Sequence, residues 1–329
     1  MRTRPADIDD HQLVTAVRQG WGTAIDSVEY VAIGGGSHHW RASSAGQCDL
    51  WLTVDDLDDK PFLGASRPAV LKALRQALDV SSALHNTGLE FVLAPQPALA
   101  GELVVEVTER YALAVYPFIQ NGMTYPWGKP LPDAERGELE QMLSRLHQAT
   151  PRVRAMARAI PVELSERGTL EAALCEPWSN GPYAQAAREV LTAHHDQVQR
   201  MLQTFDGWVA DVATRDGQAV ISHGEPHPRN FMRVDGRLLL LDWDTVGLAP
   251  PERDLWWLAQ HGTAGMERYA EATGHHPDDV ALRLFRLRWQ LDDLIWCVRS
   301  LSVAHTETRD TQLAWSALPN VVEVPEWMR

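Results

Sequence analysis

The sequence predicts an α+β fold, with a small strand-rich region followed by a larger helical one. Three observations predict it. Residues 28–119 hold short β-rich runs separated by turns. After Asn121 the apolar residues recur mostly at helical spacing. A single strand–loop–strand insert, 219–243, interrupts the helical part, and segregated rather than alternating elements mark the α+β class.

In chain order, VEYVAI (28–33) reads as a strand that runs into Gly34, Gly35 and Gly36, and CDLWLTV (48–54) reads as a second strand. Residues 67–84 carry Val70, Leu71, Leu74, Ala77 and Leu78 on one helical face. ELVVEVT (102–108) and YALAVYPFI (111–119) suggest a hairpin around Glu109 and Arg110. Past Pro130 and Pro132, residues 133–148 place Leu139, Met142, Leu143 and Leu146 on one face of a helix. Helices are expected over 171–187 and 190–211, then strands over 219–223 and 237–243. Helices resume beyond Pro250 and Pro251 to about residue 304, and 319–329 shows no pattern.

With 329 residues, the chain suits two domains or one large one. No apolar run reaches the ~18 residues of a membrane span, and MRTRPADIDDHQLV has no signal-peptide core. Cys48, Cys175 and Cys297 are widely spaced without a CxxC pair, so a reducing cytoplasm is expected. A net charge of −14 argues against nucleic acid as the main partner and allows a cationic one. The histidine pairs and the His223/His227 spacing do not supply the converging ligands of a zinc site. Trp256, Trp257, Trp289 and Trp296 fall at helical spacings and read as core.

The most informative stretch is ISHGEPHPRNFMRVDGRLLLLDWDTVGLAPPERDLWWL (221–258). It holds an acid, Glu225, an amide five residues on, Asn230, and a second acid, Asp242, at the end of an apolar strand. A carboxylate and a carboxamide joined by a hairpin suit Mg²⁺, which takes a few protein oxygens and fills its shell with phosphate and water. A further acid beside them can orient an acceptor hydroxyl and take its proton.

HGEPHPRN, followed by LDWD and GLAPPERDL, resembles the aminoglycoside phosphotransferase family, relatives of the protein kinases. The resemblance implies a protein-kinase-like two-lobe fold, with a β-rich lobe over 1–118 and a helical lobe over 119–329. It places Glu225 at the catalytic aspartate position and Asn230 and Asp242 at the metal positions. His223, Asp254 and Asp244 fall at framework positions. The implied cofactors are Mg²⁺ and ATP or GTP. VAIGGGSHHWRA resembles the nucleotide-covering loop, with Gly34, Gly35, Gly36 and Ser37 against the phosphates, although three glycines also make a plain turn. Tyr116 and Phe118 stand where the family's hinge meets the purine.

Two departures stand out. The third-strand lysine that usually holds the phosphates is replaced by Thr53 or a neighbour, and the next helix has no glutamate to pair with it. Lys60, Lys72, Lys129 and Arg41 are the candidate replacements, Lys60 first; Lys60 also reads as a counter-charge to Asp55, Asp56, Asp58 and Asp59 on a solvated turn. The second departure is Glu225 in place of aspartate, one methylene longer on a proline-stiffened loop.

Asp293 lacks a basic residue at helical spacing and is the candidate contact for a cationic acceptor, while Asp292 can pair with Arg288. NGMTYPWGKP (121–130) suggests a flap. The function expected is transfer of a γ-phosphoryl group to a hydroxyl of a small molecule: an aminoglycoside or nucleoside antibiotic, or a sugar-like metabolite. The alternative is a nucleotide-binding pseudokinase, prompted by the missing lysine–glutamate pair.

Overall fold

A computed structural model describes residues 1–45, 47–126, 131–178, 180–214 and 219–328. The chain forms two compact units, Met1–Ile160 with Gln218–Pro277, and Pro161–Gly217 with Asp278–Arg329.

The first unit opens with helix α1 (Asp10–Trp21), capped by the Asp9 side chain on the Gln12 amide and ended by Gly22 in the left-handed region. Strands β1 (Ser27–Val31), β2 (His38–Ser44) and β3 (Gln47–Asp56) follow, then α2 (Arg67–Asn86), β4 (Val105–Glu106) and β5 (Tyr111–Pro117). The sheet order is β1-β2-β3-β5-β4, and every pairing is antiparallel. Alternation along the strands gives the sheet two faces. Trp40, Leu52, Val54, Leu113 and Val115 are buried with Leu13 and Val17 of α1. His39, Thr53 and Ala114 are cross-strand partners on the opposite face, as are Arg41, Trp51 and Tyr116. The predicted hairpin forms, but its first strand contracts to two residues.

The same unit continues through β6 (Met123–Thr124), α3 (Asp133–Gln148) and the single turn α4 (Thr150–Val153). Met123 and Thr124 pair with the next sheet, so the first half of the expected flap is a sheet edge; residues 127–130, Lys129 among them, lie outside the described residues.

The second unit contributes α5 (Arg167–Cys175), α6 (Ala184–Ala193) and α7 (His195–Ala213). The helix expected over 171–187 is two helices, because Pro177 follows the end of α5 and cannot continue it. The helix expected over 190–211 likewise divides at His194, the shared boundary of α6 and α7.

The first unit resumes with β7 (Val220–Ser222), β8 (Phe231–Val234), β9 (Arg237–Leu240), β10 (Gly247–Ala249), α8 (Glu252–Ala259) and α9 (Ala264–Thr273). The second unit closes with α10 (Asp279–Ser302) and α11 (Arg309–Val321). A helix therefore occupies part of the tail that showed no pattern; Pro319 lies in its last turn. Leu287, Leu291, Leu294, Val298 and Leu301 of α10 form the spine of this unit's core, with Leu202 and Phe205 of α7. Among the described residues no helix is long and apolar enough to cross a membrane.

Candidate active site

The loop after β7 is fixed by its backbone. Asp254, fully buried in the first turn of α8, accepts the amides of His223 at 2.8 Å and Gly224 at 2.6 Å. Burial opposes its charge, yet the hydrogen bond from His147 at 3.1 Å and neighbouring cations hold the carboxyl below its ordinary value. Tyr269 Oη meets the other nitrogen of His147 at 2.6 Å.

Gly224 has φ 99°, and a Cβ there would lie 2.1 Å from Arg253 Nη2. That guanidinium donates to Ser222 Oγ at 2.9 Å and to the Thr245 carbonyl at 3.1 Å. Only glycine meets both conditions. His223 Nδ1 accepts the Glu225 amide at 3.1 Å, so Nε2 carries the proton and donates to the Leu241 carbonyl at 2.8 Å. Burial agrees with this neutral form and pushes His223 down to about 4.

These bonds bring the loop to the chain that follows β9. Asn230 Nδ2 donates to the Glu225 carbonyl at 2.9 Å, and the Asn230 carbonyl accepts Leu241 N at 2.8 Å. β9 stops at Leu240, three residues short of the expected strand, because Asp242 takes φ 62°. Such a conformation is costly outside glycine and clusters at functional sites. Trp243 is buried beside it, edge-on to His223 at 4.6 Å, with its indole N–H donating to the Leu240 carbonyl at 2.8 Å.

The carboxyls here crowd one another. Desolvation, then Asp242 and Asp244, push Glu225 up to about 8, although 36% of its side chain still reaches water. Desolvation and Asp244 push Asp242 up to about 7. This surplus of negative charge suits a divalent cation. The Asn230 amide nitrogen is committed to the Glu225 carbonyl, which leaves its side-chain oxygen available to a metal, as the Asp242 carboxylate would be. One amide and one carboxylate oxygen, completed by phosphate and water, fit Mg²⁺.

The glycine turn reaches the acids through Lys60. Gly34 takes φ 77°, and Gly35 has open space where a Cβ would project. Ser37 Oγ donates to Asp55 at 2.6 Å. Lys60 is not on a solvated turn: it is fully buried, 3.0 Å from Asp55, 2.5 Å from Asp244 and 3.2 Å from Ser37 Oγ. Burial disfavours its charge, but Asp244 and Asp55 outweigh this and hold it well above the ordinary lysine value. Arg41 instead lies over the Phe118 ring at 5.5 Å, and Lys72 is exposed on α2. His39 and Trp51 stack at 5.3 Å, and Phe118 lies 6.4 Å from Trp51. Together with Tyr116, whose phenol is pushed upward by burial and by Asp55, they build an aromatic wall beside the acids.

Residues 45–286 match the phosphotransferase enzyme family. The chain belongs to that family. This phosphotransferase is 24% identical over 317 residues to protein StrN of Streptomyces griseus, spanning 92% of this chain and 88% of StrN. Among solved structures it is similar to a spectinomycin phosphotransferase bound to ADP and spectinomycin, at TM-score 0.72 and 15% identity, covering 96% of this chain and 97% of that one. It is also similar to the macrolide 2′-phosphotransferase of Brachybacterium faecium, at TM-score 0.53 and 19% identity over 97% and 99% of the two chains. At these identities the structural likeness is one of fold. The fold is protein-kinase-like, and the chain is a small-molecule phosphotransferase.

In the second unit of the phosphotransferase, Asp293 is half-buried on α10. Burial and then Asp292 push its carboxyl up to about 7, against a hydrogen bond with Trp289. Asp292 pairs with Arg288 at 3.4 Å. Sequence reasoning missed Asp55, Arg253 and His147 as members of the site. For Asp55 a signal existed: an acid two residues beyond Thr53 shares its face of the strand.

Proposed function

We propose that this phosphotransferase moves the γ-phosphoryl group of ATP or GTP to a hydroxyl of an amine-bearing antibiotic or a sugar-like metabolite. The observation that carries this reading is the hydrogen-bonded frame that ties Glu225 to Asn230 and Asn230 to Leu241, the neighbour of Asp242, with Lys60 beneath the glycine turn.

Glu225 orients the acceptor hydroxyl and takes its proton as the oxygen attacks the γ-phosphorus, whose bond to the β,γ-bridging oxygen breaks to release ADP or GDP. A carboxylate takes that proton only in its ionised form, which the positive charges of Arg253 and Lys60 favour. Asn230 and Asp242 would hold Mg²⁺, which when bound supplies positive charge to the transferring phosphoryl oxygens. Gly34, Gly35, Gly36 and Ser37 cover the phosphates, and Trp51, Tyr116 and Phe118 flank the purine; residues 1–118 thus act as the nucleotide lobe and 119–329 as the catalytic and acceptor lobe. Asp293 offers its carboxylate to an acceptor amine. Two similar proteins point to the acceptor class, one solved with spectinomycin and one described as a macrolide phosphotransferase.

The test is mass spectrometry of acceptors incubated with Mg²⁺ and ATP or GTP. The panel should span aminoglycosides, aminocyclitols, nucleoside antibiotics and sugars. The expected result is one added phosphate with wild type and none with Asp242→Ala. Nucleotide binding without transfer across the panel would favour the pseudokinase.

A further inference from the structure

The phosphotransferase lacks both halves of the lysine–glutamate pair that its relatives among the kinases place on a strand and the next helix. Its structure supplies another pair. Lys60 arises from the loop after β3 and returns beneath the glycine turn; its Nζ lies 3.9 Å from where a Cβ would stand on Gly36. Asp55, on β3 itself, is 2% exposed, forms an ion pair with Lys60 and accepts a hydrogen bond from Ser37. Thr53, nearest the expected lysine position, faces His39 at 3.4 Å.

We propose that Lys60 is the phosphate-binding cation of this enzyme and Asp55 its resident counter-acid. Asp244 is a second partner that Lys60 releases when triphosphate enters. The inference rests on the kinase reading above.

Three observations carry it. A lysine with no exposed surface, held by two carboxylates and a hydroxyl, is a built arrangement, because an amine is buried only when its charge is matched. Ser37 joins this ion cluster to the glycine turn, so the cation and the phosphate-covering backbone form one unit. Release of Asp244 does not strand it: Arg158 acts on Asp244 electrostatically, and its buried Nε has no hydrogen-bond partner among the described residues. The pair lies wholly within β3 and its following loop. A shift of α2 therefore does not break it, unlike a pair shared between strand and helix.

The test is calorimetric binding of the non-hydrolysable imido analogues of ATP and GTP with Mg²⁺, beside adenosine and guanosine. Lys60→Ala is expected to weaken the triphosphate analogue at least tenfold and to leave the nucleoside within twofold. Because Lys60→Ala strands two carboxylates and can unfold the protein, the variant Lys60→Met/Asp55→Asn/Asp244→Asn removes the whole ion cluster and is measured alongside. Thr53→Lys in the Lys60→Ala background is expected to recover triphosphate binding. Triphosphate affinity within twofold of wild type in folded Lys60→Ala or in the triple variant overturns the inference and leaves the kinase reading intact. Wild type that binds neither analogue overturns both.

Discussion

The catalytic loop and the phosphate-side cluster are both dense in buried polar groups, but they are assembled differently. From His223 to Asp254, most of the partners lie within one stretch of chain: His223 with Leu241, Glu225 with Asn230, Gly224 with Asp254, Arg253 with Thr245. The phosphate-side cluster draws Ser37, Asp55, Lys60 and Asp244 from three separate segments, and its Lys60–Asp244 bond spans 184 residues. A local network has little freedom in spacing, so its residues must recur at fixed intervals and read as a motif. A long-range cluster needs only the right charges at one point in space, and several sequences meet that need.

The contrast is sharpest at the glycines. In the catalytic loop, Gly224→Ala meets both a left-handed φ and the Arg253 guanidinium. It should cost about 3 kcal/mol or more, read as a fall in denaturant midpoint. Gly35→Ala projects into open space and should change stability by less than about 0.5 kcal/mol. Equal losses at the two positions would mean that the glycine turn is as tightly built as the catalytic loop.

Glu225→Asp tests the same rigidity through rate. The substitution restores the residue usual in the family, yet Pro226 and Pro228 and the Asn230–carbonyl bond fix a loop built for the longer side chain. A displacement of about 1 Å predicts roughly a 100-fold loss of kcat, or about 2.7 kcal/mol. Unchanged kcat would show that the loop adjusts.

The difference also governs what could be read from the sequence. The α+β class, four of the five strands of the first sheet, α2 and α3 were legible from periodicity, and the candidate grouping of Glu225, Asn230 and Asp242 from its spacing. Helix ends at Pro177 and His194 were not, because apolar residues continue past both breaks. Asp242 reads in the sequence as the end of a strand, since nothing in LLLLDWD announces a left-handed turn. Lys60 stood in DDLDDK, where a charge run usually means a solvated surface; only the return of that loop beneath Gly36 separates the two meanings. Asp55 was passed over for the same reason.

A pH titration tests the catalytic loop at smaller energies. His223 is buried and neutral, with its value depressed to about 4. Below pH 6.5 the unfolded chain binds a proton that the native histidine refuses until about 4. Stability is therefore complete above about 6.5 and falls as pH drops through this window, by up to about 1.4 kcal/mol per pH unit. Urea unfolding at pH 7.5, 6.5 and 5.5 should show the fall, and His223→Gln should flatten it. An unchanged slope in that variant would assign the pH sensitivity to other groups.

The smallest expected effect separates the inner and outer anchors of the Lys60 loop. Outside, Asp58 makes two bonds to Arg67, at 2.6 and 2.7 Å, with Arg110 3.5 Å away. These side chains are about two-fifths exposed, so water screens the pairs and each contributes little. Inside, Lys60 is sealed from water between two carboxylates, where loss of one partner leaves an uncompensated buried charge. Asp58→Ala should therefore lower stability by less than about 1 kcal/mol and leave triphosphate affinity within twofold. If affinity instead falls tenfold, the position of Lys60 depends on the exposed pins, and the loop is set from its surface inward rather than from the ion cluster outward.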